Sequence, residues 1–289
     1  MIYHEQAIRF ECADDSLFGI LSIPDQPISR GVLIVVGGPQ YRVGSHRQFT
    51  LLARHLATAG IPAMRYDYRG MGDSEGEIRT FENIHDDLHA AIDQFFLALP
   101  HLKELAIWGL CDAASAALFY AYQDPRIVGL ILLNPWVRTE QSAIKTYIKH
   151  YYATRLFQPD FWKKVGSGRY NPKVTLRFLS QSLFTLTRKG RNEIPSNDSL
   201  HSDANHAPLP ERMLAGLNRF TGKVFIITSG DDLTAKEFLD LINQSRDWDK
   251  ALKIKKAECI HLQDANHTFS SSKWRNQVAI LTENWVKSW

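Results

Sequence analysis

The stretch Leu105–Ala116 reads LAIWGLCDAASA and runs from a short apolar segment through Gly-Leu-Cys-Asp-Ala into an Ala-rich one. The first part, Leu105–Gly109, has the composition of a buried strand. The second, Asp112–Gln123, predicts a helix, because Ala loses least on entering one. The join between them leaves no room for a loop. Gly109 stands two residues before Cys111 and Ala113 two after it. A sharp strand-to-helix turn strains the backbone at its middle residue and demands small neighbours. It lifts the middle side chain above the sheet at a helix N-terminus, where partial positive charge favours a thiolate. This predicts a nucleophile at Cys111. The plainer alternative is a small cysteine buried in the core.

Outward from this turn, apolar runs alternate with amphipathic stretches. Phe18–Pro24 predicts an antiparallel strand, and Val32–Val36 (VLIVV) a strand buried on both faces. A helix is expected from Arg47 to Ala59, with Gly60 as its stop. Ala63–Tyr68 predicts a strand. Asn83–Leu99 carries apolar residues at helical spacing and ends at Pro100. Ile127–Leu133 and Val224–Thr228 predict strands, Ala235–Ser245 a helix, Lys253–Leu262 a last strand and Lys273–Trp289 a C-terminal helix. Alternating strands and helices imply an α/β fold, a mostly parallel central sheet with helices on both faces.

Residues 136–220 interrupt the alternation before the last two strands. They are aromatic, basic and helical in pattern, then polar and turn-rich from Arg188 to Arg212. Insertions at the carboxyl ends of such strands sit over the site. The expected organisation is therefore a core of residues 1–135 and 221–289 with a helical cap of residues 136–220. The alternative is a second independent domain.

With 44% hydrophobic and 22% charged residues in 289, the chain is neither disordered nor fibrous. No run approaches the roughly 20 apolar residues of a membrane span. The charged start, MIYHEQAIRFECADD, does not read as a signal peptide. Three widely spaced cysteines, Cys12, Cys111 and Cys259, point to a reducing cytoplasm rather than a disulfide framework, with Cys12 and Cys259 as core fillers. A net charge of +3 gives no ground for nucleic-acid binding. No metal-ligand spacing and no Gly-rich nucleotide motif appears, so no cofactor or metal is expected.

A nucleophile of this kind requires a carboxylate and then a His downstream. Ser229–Thr234 (SGDDLT) follows one strand and Asp264–Phe269 (DANHTF) the next. His267 then takes the thiol proton and returns it to the leaving group. A carboxylate of Asp231 or Asp232 orients the imidazole, and one of the two is expected to cap the helix that follows. A solvated loop position is the plainer reading of His267. The turn after Val32–Val36, Gly37-Gly38-Pro39-Gln40, supplies one oxyanion-hole N–H and Asp112 the other. Pro39 has no N–H, so Gly38 and Gln40 are the candidates on that turn. Arg42 and His46, later in the same loop, are expected to bind a substrate carboxylate or phosphate, with surface solvation as the alternative.

These features resemble the α/β-hydrolase superfamily, above all Arg65–Gly76 (RYDYRGMGDSEG) with its Arg-Gly-x-Gly-x-Ser turn. The segments GGPQYRVGSHRQF, GLCDAASAAL, SGDDLTAKEF and DANHTFS resemble the bacterial exosortase A system-associated hydrolases of type 1. The resemblance implies a Cys nucleophile at Cys111, Asp232 as the acid and His267 as the base. It departs from the superfamily in having Ala113 where Gly is usual. The residues together point to a cytoplasmic hydrolase of a carboxylic ester or thioester working through an acyl-cysteine; the resemblance says little about substrate, because that family is named for its genes lying beside exopolysaccharide and protein-sorting genes. The alternatives are an acyltransferase using the same intermediate and a non-catalytic binding protein; the missing N–H of Pro39 and the Cys-for-Ser exchange leave the latter open, and the retained acid and His argue against it.

The charge is unevenly spread. Arg138–Asn192 holds twelve Lys or Arg and two acidic residues, a net of +10, so the remainder carries −7 of the total of +3. This predicts a basic cap over an acidic body, suited to an anionic small-molecule substrate or to peripheral contact with an anionic membrane surface. The plainer reading is a solvated helical face. Nothing in the sequence assigns an oligomeric state.

Overall fold

In the computed structural model, which describes residues 2–38, 40–138 and 207–289, eight strands form one sheet in the order β1-β2-β4-β3-β5-β6-β7-β8. The strands are β1 Tyr3–Cys12, β2 Asp15–Pro24, β3 Arg30–Val35, β4 Ala63–Asp67, β5 Glu104–Leu110, β6 Ile127–Leu133, β7 Lys223–Asp231 and β8 Glu258–Asn266. Strand β2 runs antiparallel to both β1 and β4, and every later pairing is parallel. This is the α/β-hydrolase fold. Among the described residues the helices are α1 Gln48–Thr58, α2 His85–Ala98, α3 Asp112–Tyr120, α4 Leu209–Arg219, α5 Leu233–Gln244, α6 Arg246–Ile254 and α7 Ser272–Lys287.

The central strands carry the core. Val32 to Val35 in β3 and Leu105 to Ile107 in β5 are fully buried, as continuous β-branched or aliphatic runs require in a sheet covered on both sides. Helix α2 turns Leu88, Ala91, Ile92 and Phe95 inward, and Phe49 of α1 meets Trp108 of β5 edge-on with ring centroids 5.7 Å apart. Because β3 lies between β4 and β5, the strand order reverses there. The loops after β3 and β5 therefore leave in opposite directions and open a crevice at their carboxyl ends, where ligands bind in sheets of this kind.

Three elements depart from expectation. Strand β1 was not expected, because its first half is exposed and charged, as befits an edge strand. The last strand begins at Glu258, not Lys253; Lys253 and Ile254 end helix α6, which buries only Trp248 and Ala251 and so has a weak apolar signal. Helix α4 occupies ground expected to be polar loop and insertion, with Gly216 so close to the Leu118 carbonyl that a Cβ would stand 2.0 Å from it. The chain divides into two compact units, residues 1–137 with 210–289, and residues 138–209. The expected cap lies largely in residues 139–206, outside the described residues. No helix among the described residues is long and apolar enough to cross a membrane.

Candidate active site

Strand β5 delivers Cys111 to the crevice. Its backbone has φ 64° and ψ −123°, a conformation L-residues rarely adopt, and it is held there from both sides. The Cys111 N–H donates to the Leu133 carbonyl (2.8 Å), and the Cys111 carbonyl accepts from the N–H of Ala114 (3.1 Å) and of Trp136 (3.2 Å). The turn can close only because Gly109 lacks a side chain: a Cβ there would lie 2.7 Å from the Ala113 carbonyl carbon and oxygen. The extra methyl of Ala113 is accommodated because it faces Gly37, where no side chain competes.

Strands β7 and β8 bring the other two groups. His267 Nδ1 lies 2.8 Å from Asp232 Oδ2. The hydrogen bond that His267 donates to Asp232, the nearby Cys111 and the charge of the carboxylate push the His267 imidazolium up to about 10, against the opposing effect of burial. Asp232 also caps α5, accepting from the N–H of Thr234 (3.2 Å) and of Ala235 (3.0 Å). Of the two carboxylates, Asp232 is the one that caps the helix, and it also meets His267. Asp231 is exposed.

The first loop behaves differently from expectation. The Gln40 N–H closes on the Gly38 carbonyl (2.8 Å), and the Gln40 side-chain oxygen accepts from the Ser45 N–H (3.0 Å) and hydroxyl (3.1 Å). Gln40 braces the loop and its N–H is not available as an oxyanion donor. The Gly38 N–H points toward the elbow, but onto the carboxylate of Asp112, at 2.8 and 3.0 Å. The backbone N–H dipoles of Gly38, Ala113 and Asp112 itself favour the ionised form of this carboxylate. Burial raises the Asp112 acid above its ordinary range, outweighing these donors and the charge of His267. Tyr68, at the end of β4, is pushed up to about 12 by burial and by the charge of Asp112 and Asp87.

Arg42, expected to hold a substrate anion, is paired with two carboxylates of the protein itself. Its guanidinium pairs with Asp67 and Asp73, and its N–H donates to Asp67 Oδ1 at 2.5 Å. Asp67 is fully buried and has to be neutralised, which commits Arg42 to the scaffold. His46 lies exposed in a 3₁₀ turn, with φ 53°. Cys12 is buried as expected, whereas Cys259 is exposed on edge strand β8.

The sequence reading missed Asn134. It ends β6, is fully buried with φ 43°, and clamps the loops that carry the acid and the His. Its Nδ2 donates to Ser229 Oγ (2.7 Å) and to the His267 carbonyl (3.0 Å), and its Oδ1 accepts the Ser229 N–H (2.9 Å). An Asn before Pro135 at a strand end was the available signal, since Asn tolerates positive φ better than most residues.

Residues 28–182 match the family model described as Serine aminopeptidase, S33. An acyltransferase, drtE, from Aspergillus calidoustus is 30% identical over 115 residues, covering 37% of this chain and 36% of that protein. A polyketide transferase, grgF, from a Penicillium species is 32% identical over 90 residues, covering 30% of this chain and 31% of that protein. The match thus spans about a third of each curated relative. The crystal structure of the Penicillium protein superposes with a TM-score of 0.61 at 19% identity, over 99% of this chain and all of that one. The Pyrococcus furiosus esterase Pf2001 superposes with a TM-score of 0.64 at 14% identity, over 99% and 92%.

Proposed function

Since the chain belongs to the serine aminopeptidase S33 family of α/β-hydrolases, we propose that it cleaves a carboxylic ester or thioester through an acyl-cysteine, with Cys111 as nucleophile, His267 as acid and base, and Asp232 as the group that orients it. The observation that carries this is the Asp232–His267 hydrogen bond at 2.8 Å, with Cys111 at a strained strand-to-helix turn and among the groups that hold the imidazole's proton. An imidazolium held up to about 10 keeps its proton at neutral pH and so carries the proton that a leaving group needs.

In the first step the Cys111 sulfur bonds to the acyl carbon and the bond to the leaving oxygen or sulfur breaks. His267 gives its proton to that leaving group. In the second step an incoming hydroxyl gives its proton to His267, its oxygen bonds to the acyl carbon, and the thiolate leaves. If the hydroxyl is water, the reaction is hydrolysis; if it belongs to an alcohol, it is acyl transfer. The names of the two curated relatives favour transfer as the second reading. The resemblance to exosortase A system-associated hydrolases supports an acceptor or donor from exopolysaccharide chemistry, and the basic segment 138–192 supports an anionic substrate. A cap formed by residues 136–220 and a cytoplasmic setting belong to the same reading.

Intact mass spectrometry after incubation with p-nitrophenyl esters and acyl-CoA thioesters tests it. The expected result is an acyl adduct lost in Cys111→Ala, cleared faster when an alcohol acceptor competes with water if transfer is the true reaction. No Cys111-dependent adduct or turnover would leave the binding-protein alternative.

A further inference from the structure

The donors that an acyl-cysteine enzyme needs are present in this crevice, but they are occupied. A tetrahedral intermediate carries its negative charge on the former carbonyl oxygen, which requires N–H groups at roughly 2.7–3.1 Å. Beside Cys111 the Gly38 N–H, the donor offered by the turn after β3, is taken up by both oxygens of the Asp112 carboxylate, at 2.8 and 3.0 Å. The fit is close. A Cβ at Gly37 would stand 2.4 Å from Asp112 Oδ1, so the turn after β3 is shaped around this carboxylate. Two anions cannot share the cradle.

We infer that Asp112 is a specificity-determining residue: its carboxylate fills the oxyanion cradle in the free protein and has to swing out before a substrate can acylate Cys111. The inference rests on the acyl-cysteine reading above. The residue is only half-buried, which leaves its side chain a way out. Burial also raises its acid despite the donors, so the ionised carboxylate sits less comfortably here than in water and is displaceable. Displacement consumes binding energy. A substrate with a long acyl or large leaving group can supply it from contacts far from the reacting atoms, whereas a small activated ester cannot. The cradle thereby discriminates against small esters without touching them.

The test compares wild type, Asp112→Asn and Asp112→Ala, the near-isosteric Asn guarding against a folding defect. Cys111 acylation by p-nitrophenyl acetate and p-nitrophenyl decanoate is followed by intact mass, and Cys111 alkylation by iodoacetamide serves as control, because alkylation forms no oxyanion. Acetate should acylate in the order Ala, Asn, Asp, with wild type slower than Ala by on the order of ten- to a hundredfold, the range of a charge-assisted hydrogen bond. The gain should be smaller for decanoate. Equal rates, loss of acylation in Asp112→Ala, the same gain for both esters, or an equal rise in alkylation each overturn the gate while leaving the acyl-cysteine intact. No Cys111 adduct in any variant removes the acyl-cysteine reading, and the gate with it.

Discussion

Asp232 does two things with one carboxylate, and they can be separated. It caps α5 through the N–H groups of Thr234 and Ala235 and holds His267 Nδ1 at 2.8 Å. Asn caps a helix about as well as Asp, whereas Ala costs about 1 kcal/mol at such a position. Asp232→Asn therefore keeps the cap and removes the charge that favours the imidazolium; Asp232→Ala removes both. In wild type the imidazolium persists to about 10 against an ordinary value of 6.5. The folded state binds this proton more tightly than the unfolded one, so the pair contributes its full stability below about pH 6.5 and loses it as pH rises through about 10. A pH titration of the His267 ring by NMR should show its midpoint dropping toward the ordinary value in Asp232→Asn. The difference in Tm between wild type and that variant should shrink as pH approaches 10. A midpoint that stays put would mean that Asp232 is not what holds the proton.

At the level of elements, the site rests on neighbouring strand ends, and Asn134 ties those of β6, β7 and β8 together. Its amide joins the end of β6 to Ser229 in β7 and to the His267 carbonyl just past β8. Removing it leaves the Ser229 N–H buried without its partner, a cost of about 1–3 kcal/mol. Asn134→Gly keeps the φ of 43° comfortable and isolates the lost hydrogen bonds. It should lower Tm and slow iodoacetamide labelling of Cys111, scored by peptide mapping because Cys259 is exposed and labels too. Labelling at the wild-type rate would show that the clamp serves stability alone. The contrast between Asn134 and the residues proposed to carry the chemistry explains what the sequence disclosed. Cys111, Asp232 and His267 follow apolar strands at the spacing that the proposed chemistry requires, so they could be proposed without coordinates. The central strands were legible for the same reason, as unbroken aliphatic runs. Asn134 reaches Ser229 across 95 positions and Asp112 reaches Gly38 across 74, and no local pattern announces where an amide or carboxylate will point. Strand β1 and helix α6 were hidden because each buries few residues. Arg42 misled because a cation in an active-site loop and a cation neutralising a buried carboxylate look the same in one dimension.

For the whole molecule, the modest net charge of +3 conceals a segment of +10 joined to a remainder of −7. Charges packed this densely into 138–192 make a local field that a dispersed +3 could not, and such fields raise the encounter rate of oppositely charged ligands. The effect is ionic-strength dependent, since the Debye length falls from about 10 Å at 0.1 M salt to about 3 Å at 1 M. If the segment draws in an anionic acyl donor, kcat/KM for an acyl-CoA thioester should fall several-fold between about 50 and 500 mM salt, while kcat stays nearly constant, because salt weakens encounter and not the acyl chemistry. A neutral p-nitrophenyl ester provides the control and should lose little. Lys163→Glu with Lys164→Glu removes four units from the segment, taking it from +10 to +6. In that variant the salt slope for the thioester should flatten and its low-salt kcat/KM should drop toward the wild-type high-salt value. A thioester slope as shallow as that of the neutral ester would place the basic residues outside substrate capture, as a solvated surface with no part in choosing the acyl donor.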